Sequence, residues 1–518
     1  MTTSSSDRSS QVGEQSAGRV TRDELLLLLS LTVVAGLLRF WGLGSQALWY
    51  DEAWTRDLAR FGFFDMLHQI PKTESTPPLY YLFNWVTWRA FGPSEWTLRF
   101  IAAVAGTLTV PAVWLAGRQL VSRNAALIAA AFCTFSPMMW WYSQEARAYS
   151  LVALLFALAL ACFGAALRRP GWLALLGWGI FSAGAVMTQY VAVLPVALTG
   201  LILLWRCDGA RVRVVAAGLV PTLAGVSLIH LAVRQRGTGN SDWVPYLSFN
   251  VRLAQVPAQA WVGNAIARSH GELIVAAILG VLAAGCLALM ARRAQASERS
   301  GIVAAALVAG GSLIALIVAA LVGWDLLIAR NLLVAWPAAV VAAGGCLAVL
   351  KPRMAVTVTT IACALMLGLI IRVQVDPALQ RVDWRPVPGL LGAVPEGGRV
   401  VALQPFGNKR PLSVYAKGID YIPAGGVKVR ELEVVSAQLP QPRICWWGGV
   451  CSDGVRVDYN SQPVDLNEIA GLKRVAVRRD RTFTVVEYRS STPKLLTSDR
   501  VRAALPRNLR GGVLFQPN

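Results

Sequence analysis

Runs of about 20 apolar residues recur along this chain, and they leave it one kind of fold. A helix of ~20 residues, rising ~1.5 Å per residue, crosses the ~30 Å hydrocarbon core of a bilayer, where only internally bonded backbone is tolerated. About eleven such runs, each bounded by charge, centre near 25–43, 96–117, 124–141, 148–167, 172–188, 190–205, 213–233, 272–291, 301–323, 329–350 and 354–372. With 55% of residues hydrophobic and only 15% charged, the chain reads as a polytopic α-helical membrane protein.

The formal net charge of +20 would suit nucleic acid, but its placement argues for a membrane and against nucleic acid. Arg118 with Arg123, Arg168 with Arg169, Arg206 with Arg211 and Arg213, Arg292 with Arg293, and Lys351 with Arg353 occupy alternate connections. Basic short loops stay on the cytoplasmic side, so these loops and the N-terminus are expected there, and everything after Arg372 outside. Segment 77–91 is apolar but short and holds Asn84 and Arg89. Counted as a span it would invert every later loop, so it reads as a helix lying at the interface, as segment 57–69 does.

Residues 1–24, rich in Ser, Thr and Gly, are expected to be a disordered cytoplasmic N-terminus and no cleavable signal. The membrane domain then runs over 25–375, with a long outer first loop at 44–95. Past 375 the pattern changes to a small extracytoplasmic α/β domain, 376–490, and a loosely ordered tail, 491–518. A helix is expected from Asp383 to near Gly397, and strands at 399–403, 412–415, 443–447, 474–477 and 483–488. Six of the eight cysteines lie in spans or at their ends and read as packing residues. Cys445 and Cys451 lie in the exported region and can form a disulfide there.

The polar residues that remain gather on the expected outer side. Trp49-Tyr50-Asp51-Glu52-Ala53-Trp54-Thr55-Arg56-Asp57 follows directly after the first span. Ser143-Gln144-Glu145-Ala146-Arg147-Ala148-Tyr149 lies between the third and fourth spans, and Thr188-Gln189-Tyr190 between the fifth and sixth. Asp325 and Arg330 share that side. Such grouping suits a site working on a lipid-linked headgroup. A sugar carried on a polyprenol phosphate needs a base for the acceptor proton and cations for the developing phosphate charge. Asp51 is the candidate base, with Glu52 orienting it or binding acceptor. Arg147 and Arg330 are candidate donor-phosphate contacts, since guanidinium grips phosphate bidentately. Glu145, Tyr149, Gln189 and Tyr190 are candidate substrate contacts. Each has a plainer rival: a solvated loop for the acidic pair, a span-capping ion pair for Glu145 and Arg147, snorkelling for Arg330. Glu95 and Arg99 read as anchors of the first loop, and Asp383 and Arg385 as the joint to the soluble region.

The ordered motifs Trp-Tyr-Asp-Glu-Ala, Thr-Pro-Pro-Leu-Tyr-Tyr, Leu-Arg-Phe, Ser-Gln-Glu-Ala-Arg-Ala-Tyr and Asp-Trp-Arg resemble those of bacterial GT-C glycosyltransferases, related to protein O-mannosyltransferases and lipid A aminoarabinose transferases. The resemblance covers roughly residues 20–390. It implies a helical membrane fold with an optional soluble C-terminal domain, a catalytic role for Asp51 and Glu52, and a polyprenol-phosphate sugar donor. It further implies a mannosyl- or arabinosyl-type hexosyl- or pentosyltransferase of a bacterial plasma membrane, with a glycan, glycolipid or protein as acceptor. Two positions depart from the relatives, which carry His where this chain has Thr76 and Gln189. With only 3 histidines in the chain a His-based metal site is not expected, while a divalent cation on Asp51 and Glu52 stays open as a cofactor. The alternative function is a transporter or flippase of lipid-linked sugars, which calls for mid-membrane charge and often an internal repeat.

Overall fold

The computed structural model describes residues 20–240, 244, 248–263, 270–404, 409–437, 471–505 and 512–518. Helix α1 (Arg22–Phe40) starts at Thr21, whose hydroxyl caps the first turn. Three short helices follow, α2 (Tyr50–Arg60), α3 (Phe63–Thr73) and α4 (Leu79–Phe91). At 13 residues, α4 is about 20 Å long, short of the ~30 Å a span requires. Helix α5 (Glu95–Leu120) leads to α6 (Arg123–Phe135), which bends by 55° into α7 (Pro137–Ser143). The break falls at Ser136-Pro137: the proline has no N–H to continue the ladder, and the Ser136 hydroxyl accepts the freed Met139 N–H at 3.2 Å.

Then come α8 (Tyr149–Arg168), α9 (Trp172–Val186), α10 (Val193–Arg206), α11 (Arg211–Ser227), α12 (Ile229–Arg236), α13 (Phe249–Val262), α14 (His270–Ala291) and α15 (Ala296–Leu321). A 3-10 turn at Ala329–Val334 precedes α16 (Trp336–Ala348) and α17 (Pro352–Val375). Each of the eleven expected apolar runs is helical. Among the described residues 6 of these helices are long and apolar enough to cross a membrane, or 7 with the bent pair. Helices α9, α10 and α16 are shorter, and the acids and arginine in α1 set it apart.

Helices α5 and α8 form the centre of the bundle. In α8, 67% of the apolar window is buried, against 11% in α14. The outward faces of α11, α14 and α17 expose Leu219, Leu223, Ile278, Leu282, Ile361 and Leu365, as lipid-facing surfaces do. Close approach within the bundle depends on small residues: a Cβ on Gly344 of α16 would lie 2.5 Å from the Ala125 carbonyl of α6. At one end of α1, Glu24 pairs with Arg118 at 2.6 Å and Arg123 at 3.2 Å. The other end of α1 is roughly 28 Å away, where Gln144 donates to the Trp41 carbonyl at 2.8 Å.

The C-terminal region opens with the short helix α18 (Val387–Leu391), less than the Asp383–Gly397 helix expected. Strands β1 (Arg399–Gln404), β2 (Asp420–Tyr421), β3 (Val427–Ala437), β4 (Lys473–Arg479), β5 (Phe483–Leu496) and β6 (Val513–Gln516) make one sheet in the order β2-β6-β1-β3-β5-β4. Only β1 and β3 run parallel; the other pairs are antiparallel. Alternation along β1 serves two cores: Val400 and Ala402 pack with Val501, Val401 and Leu403 with Val387 and Leu412.

Two expectations give way here. Segment 412–415 is part of a helix, α19 (Lys409–Tyr415), not a strand: Leu412 and Ala416, four apart, turn one face to the sheet, and a short apolar run fits either period. The described residues past 490 form regular elements, where a loosely ordered tail was expected. Strand β5 continues to Leu496, helix α20 (Ser498–Ala504) buries Val501, and β6 pairs with β1, so the chain end supplies an interior strand. The strand expected at 443–447 and the Cys445–Cys451 pair lie outside the described residues.

Candidate active site

The two adjacent acids begin α2, where negative charge suits the helix N-terminus. Neighbours on a helix point about 100° apart, and the two carboxylates accordingly meet different partners. Glu52 is fully buried. Its Oε1 accepts from Arg99 Nε at 2.7 Å and from the Ala146 N–H at 2.8 Å, while Oε2 accepts from Arg99 Nη2 at 2.7 Å and the Trp49 N–H at 3.4 Å. Arg99 spends its remaining protons on carbonyls of the preceding loop, Leu43 at 2.9 Å, Gln46 at 2.8 Å and Ala47 at 3.1 Å. Burial pushes the Glu52 pKa up, but the guanidinium charges of Arg99 and Arg381, with the hydrogen bonds from Arg99 and the Ala146 N–H, outweigh it, so Glu52 is held ionised. Glu52 therefore locks α2 to α5 and to the 143–148 loop.

Asp51 has a different setting. Its side chain is 18% exposed, and its Oδ2 accepts from Arg330 Nη1 at 3.1 Å. Arg330, from the 3-10 turn before α16, also lies over the Tyr149 ring at 5.7 Å. Arg147 reaches the Asp51 carbonyl at 3.5 Å but gives its close contact, 2.8 Å, to Glu74. Glu74 also accepts from the Tyr81 hydroxyl at 2.5 Å, and burial raises its pKa against the pull of Arg147. Glu145 is buried: Oε2 accepts from Arg381 at 3.1 Å and Oε1 has no partner. Burial pushes its carboxyl up to about 7, against the charge of Arg381. Arg381 itself lies over the Trp141 ring at 4.4 Å.

Asp51, Glu145, Arg147, Tyr149 and Arg330 thus gather around one another. Gln189 and Tyr190 serve a neighbouring seam, Gln189 donating to Asn331 at 3.1 Å and Tyr190 to Gln235 at 2.7 Å. Gln189 thereby holds the turn that carries Arg330, while Tyr190 ties to α12, whose Gln235 donates to the Ile70 and Thr76 carbonyls. Sequence reasoning gave no role to Glu74 and Arg381, and read Tyr81 as an aromatic-belt residue. Glu74 and Tyr81 flank the Thr76-Pro77-Pro78 motif, which was a signal; Arg381 had none, since only the fold returns the segment after α17 to the Glu145 loop.

The arrangement offers one semi-exposed carboxylate among buried, compensated charges. A divalent ion on Asp51 and Glu52 does not fit it. Both Glu52 oxygens are filled by Arg99 and backbone donors, and Asp51 faces a guanidinium. Among the described residues no three His, Cys, Asp or Glu side chains come together to hold a metal.

The family model for dolichyl-phosphate-mannose-protein mannosyltransferase matches residues 75–233. No curated protein matches the chain in sequence. Among solved structures, ArnT from Cupriavidus metallidurans bound to undecaprenyl phosphate aligns with a TM-score of 0.55 at 15% identity, over 89% of this chain and 97% of its own. The same protein in the apo state gives 0.47 at 18% identity, over 68% and 66%. The S. cerevisiae Pmt1-Pmt2 complex bound to the sugar donor gives 0.34 at 17%, over 47% and 38%. The fold likeness rests on the first of these. The chain thus has the membrane fold of ArnT, and its residues 75–233 match the family model of the dolichyl-phosphate-mannose-protein mannosyltransferases.

Proposed function

We propose that the protein moves a sugar from a polyprenol-phosphate donor to an acceptor hydroxyl at the outer surface of a bacterial plasma membrane. One observation carries this reading: of two adjacent acids, Glu52 has every lone pair engaged, while Asp51 is partly open and meets a displaceable guanidinium. The matching family is named for a polyprenol-linked sugar, and ArnT was solved with undecaprenyl phosphate bound, both of which support the donor class. The sugar is assigned to the mannosyl or arabinosyl type, and the acceptor to a glycan, glycolipid or protein.

The chemistry follows from the geometry. The donor phosphate competes with Asp51 for Arg330 and draws it away. Asp51 then takes the proton of the acceptor hydroxyl as that oxygen bonds to the anomeric carbon. The bond from that carbon to the phosphate oxygen breaks, its electron pair leaves with the phosphate, and Arg330 neutralises the added charge. Tyr149 underlies Arg330, and Glu52, through Arg99, keeps α2 where Asp51 can reach.

The outer-face assignment is supported by the separation of the two charged ends of α1, arginine-rich around Glu24 and site-bearing at the other. The test is direct. Purified protein in vesicles is given radiolabelled polyprenol-phosphate mannose or arabinose with cell-wall glycan, glycolipid or protein acceptors. Label passing to an acceptor supports the reading; label staying on every donor across all acceptors overturns it.

A further inference from the structure

Two cavities lie beside α2, the first against α4 and the second against α3, with α19 of the C-terminal region lining both. The first, about 510 Å³, is lined by Leu48, Arg56, Arg60, Trp88, Glu95 and Tyr415 with a few neighbours. The second, about 480 Å³, is lined by Trp54, Asp57, Arg60, Phe61, Gln69 and Arg410 among others. Each falls within the ~300–1,000 Å³ usual for small-molecule sites. Arg60 lines both, so the two cavities adjoin at that side chain and are taken together as one groove.

The charges in the groove are unequal. Asp57 is already bridged by Arg56 at 3.2 Å and Arg410 at 2.7 Å. Glu95 accepts from the Tyr415 hydroxyl at 3.1 Å. Arg60 has no ion-pair or hydrogen-bond partner among the described residues, and its side chain is exposed. Its place in the last turn of α2 suits the helix dipole, but that alone does not call for two cavities around it. The walls combine aromatic residues, Phe61, Trp88, Tyr415 and Trp54 (one face of which Arg410 covers), with side chains that donate or accept hydrogen bonds, Gln69, Thr73, Ser94 and Glu95. A pyranose has this mixed character, with C–H faces for aromatic rings and hydroxyls for planar polar groups.

We propose that this groove seats an acidic saccharide of the acceptor, a sugar bearing phosphate or carboxylate, with Arg60 binding the anion and the aromatic walls the ring. This rests on the transfer reaction proposed above and names its acceptor class. Arg60 lies nine residues along α2 from Asp51, roughly 14 Å on the helix axis, and the first cavity reaches Leu48, three residues before Asp51. A few sugar units span that interval, so a saccharide held here presents a neighbouring hydroxyl at Asp51.

The probe is mannose 6-phosphate, with mannose and inorganic phosphate as controls, titrated into full-length protein in nanodiscs of zwitterionic lipid by calorimetry. Mannose 6-phosphate is expected to bind at least tenfold more tightly than either control. Arg60→Ala removes that advantage, Arg60→Lys keeps part of it, and Arg330→Ala leaves it intact. Equal affinity for inorganic phosphate, or no effect of Arg60→Ala in a protein with an unchanged melting curve, overturns the proposal. Loss in Arg330→Ala but not in Arg60→Ala overturns it too, since the probe would then sit at the donor centre. The two readings fail separately. Transfer whose acceptor KM ignores Arg60→Ala sinks the groove and leaves the reaction. Arg60-dependent binding without transfer from any donor sinks the reaction and leaves the groove as a saccharide site. An Arg60-dependent KM seen with a peptide acceptor and absent with an acidic saccharide overturns the saccharide assignment.

Discussion

At the scale of single residues, Asp51 and Arg330 form a pair whose members fail differently. Asp51→Asn keeps the shape and removes the base, so turnover should fall by roughly 10²–10⁴. The same change frees Arg330, so the donor should bind as well as before or better. Arg330→Ala removes a charged contact with the phosphate, worth about 1.5–3 kcal/mol, and donor affinity should drop roughly ten- to a hundredfold. Single-turnover rates and donor titrations on both variants check this, and near-normal transfer by Asp51→Asn would put the base elsewhere. Glu145 and Glu433, both buried and pushed up to about 7, carry a pH signature. Each folded carboxyl binds its proton more tightly than in the unfolded chain. The stability they add is therefore full below the ordinary glutamate range and is lost as pH rises toward about 7. Melting temperature should fall over that window, and Glu145→Gln with Glu433→Gln should flatten the fall. A wild-type curve rising through it would contradict the sign.

At the scale of elements, α2 is held by a buried bidentate pair, Arg99 to Glu52, and not by its own length of 11 residues. Removing one member leaves an uncompensated buried charge, which costs about 3–5 kcal/mol. Arg99→Met should lower the melting temperature clearly and abolish transfer, while Arg385→Met, on an exposed pair with Asp383, should change stability by less than about 1 kcal/mol. Similar melting curves for the two variants would remove the lock. These contacts also mark how far the sequence could be read. Arg99 was legible as an anchor of the first loop, since an arginine heading a span has few other uses. Asp51 was read as the base and Glu52 as its support, but the partners that separate them were not legible, because helix rotation divides neighbours and a single chain does not say which partner each will meet. Segment 412–415 failed for a related reason: four apolar or small residues fit a strand as well as a helix turn, and packing against the sheet decided.

At the scale of the molecule, the eleven apolar runs and the sheet-bearing C-terminal region were legible because composition and periodicity carry them. The number of helices able to cross was not, since a break such as Ser136-Pro137 and the short α9, α10 and α16 depend on neighbours for cover. Orientation is open to a simple check. A reporter active only outside the cytoplasm, fused after Gly397, should be active, and one fused after Arg168 should be silent. The reverse pattern would invert the topology and with it the outer-face site. The closing stretch of the chain takes part more closely than a trailing domain would. Arg381 follows the last span, yet it grips Glu145 and Gln46, while Arg330 reaches back to Asp51. A ribosome that has made the first 300 residues has therefore produced Asp51 and Glu145 without the Arg330 and Arg381 that pair with them. On the mechanism proposed above, a chain cut short before Arg330 lacks the cation that answers the donor phosphate and should transfer no sugar.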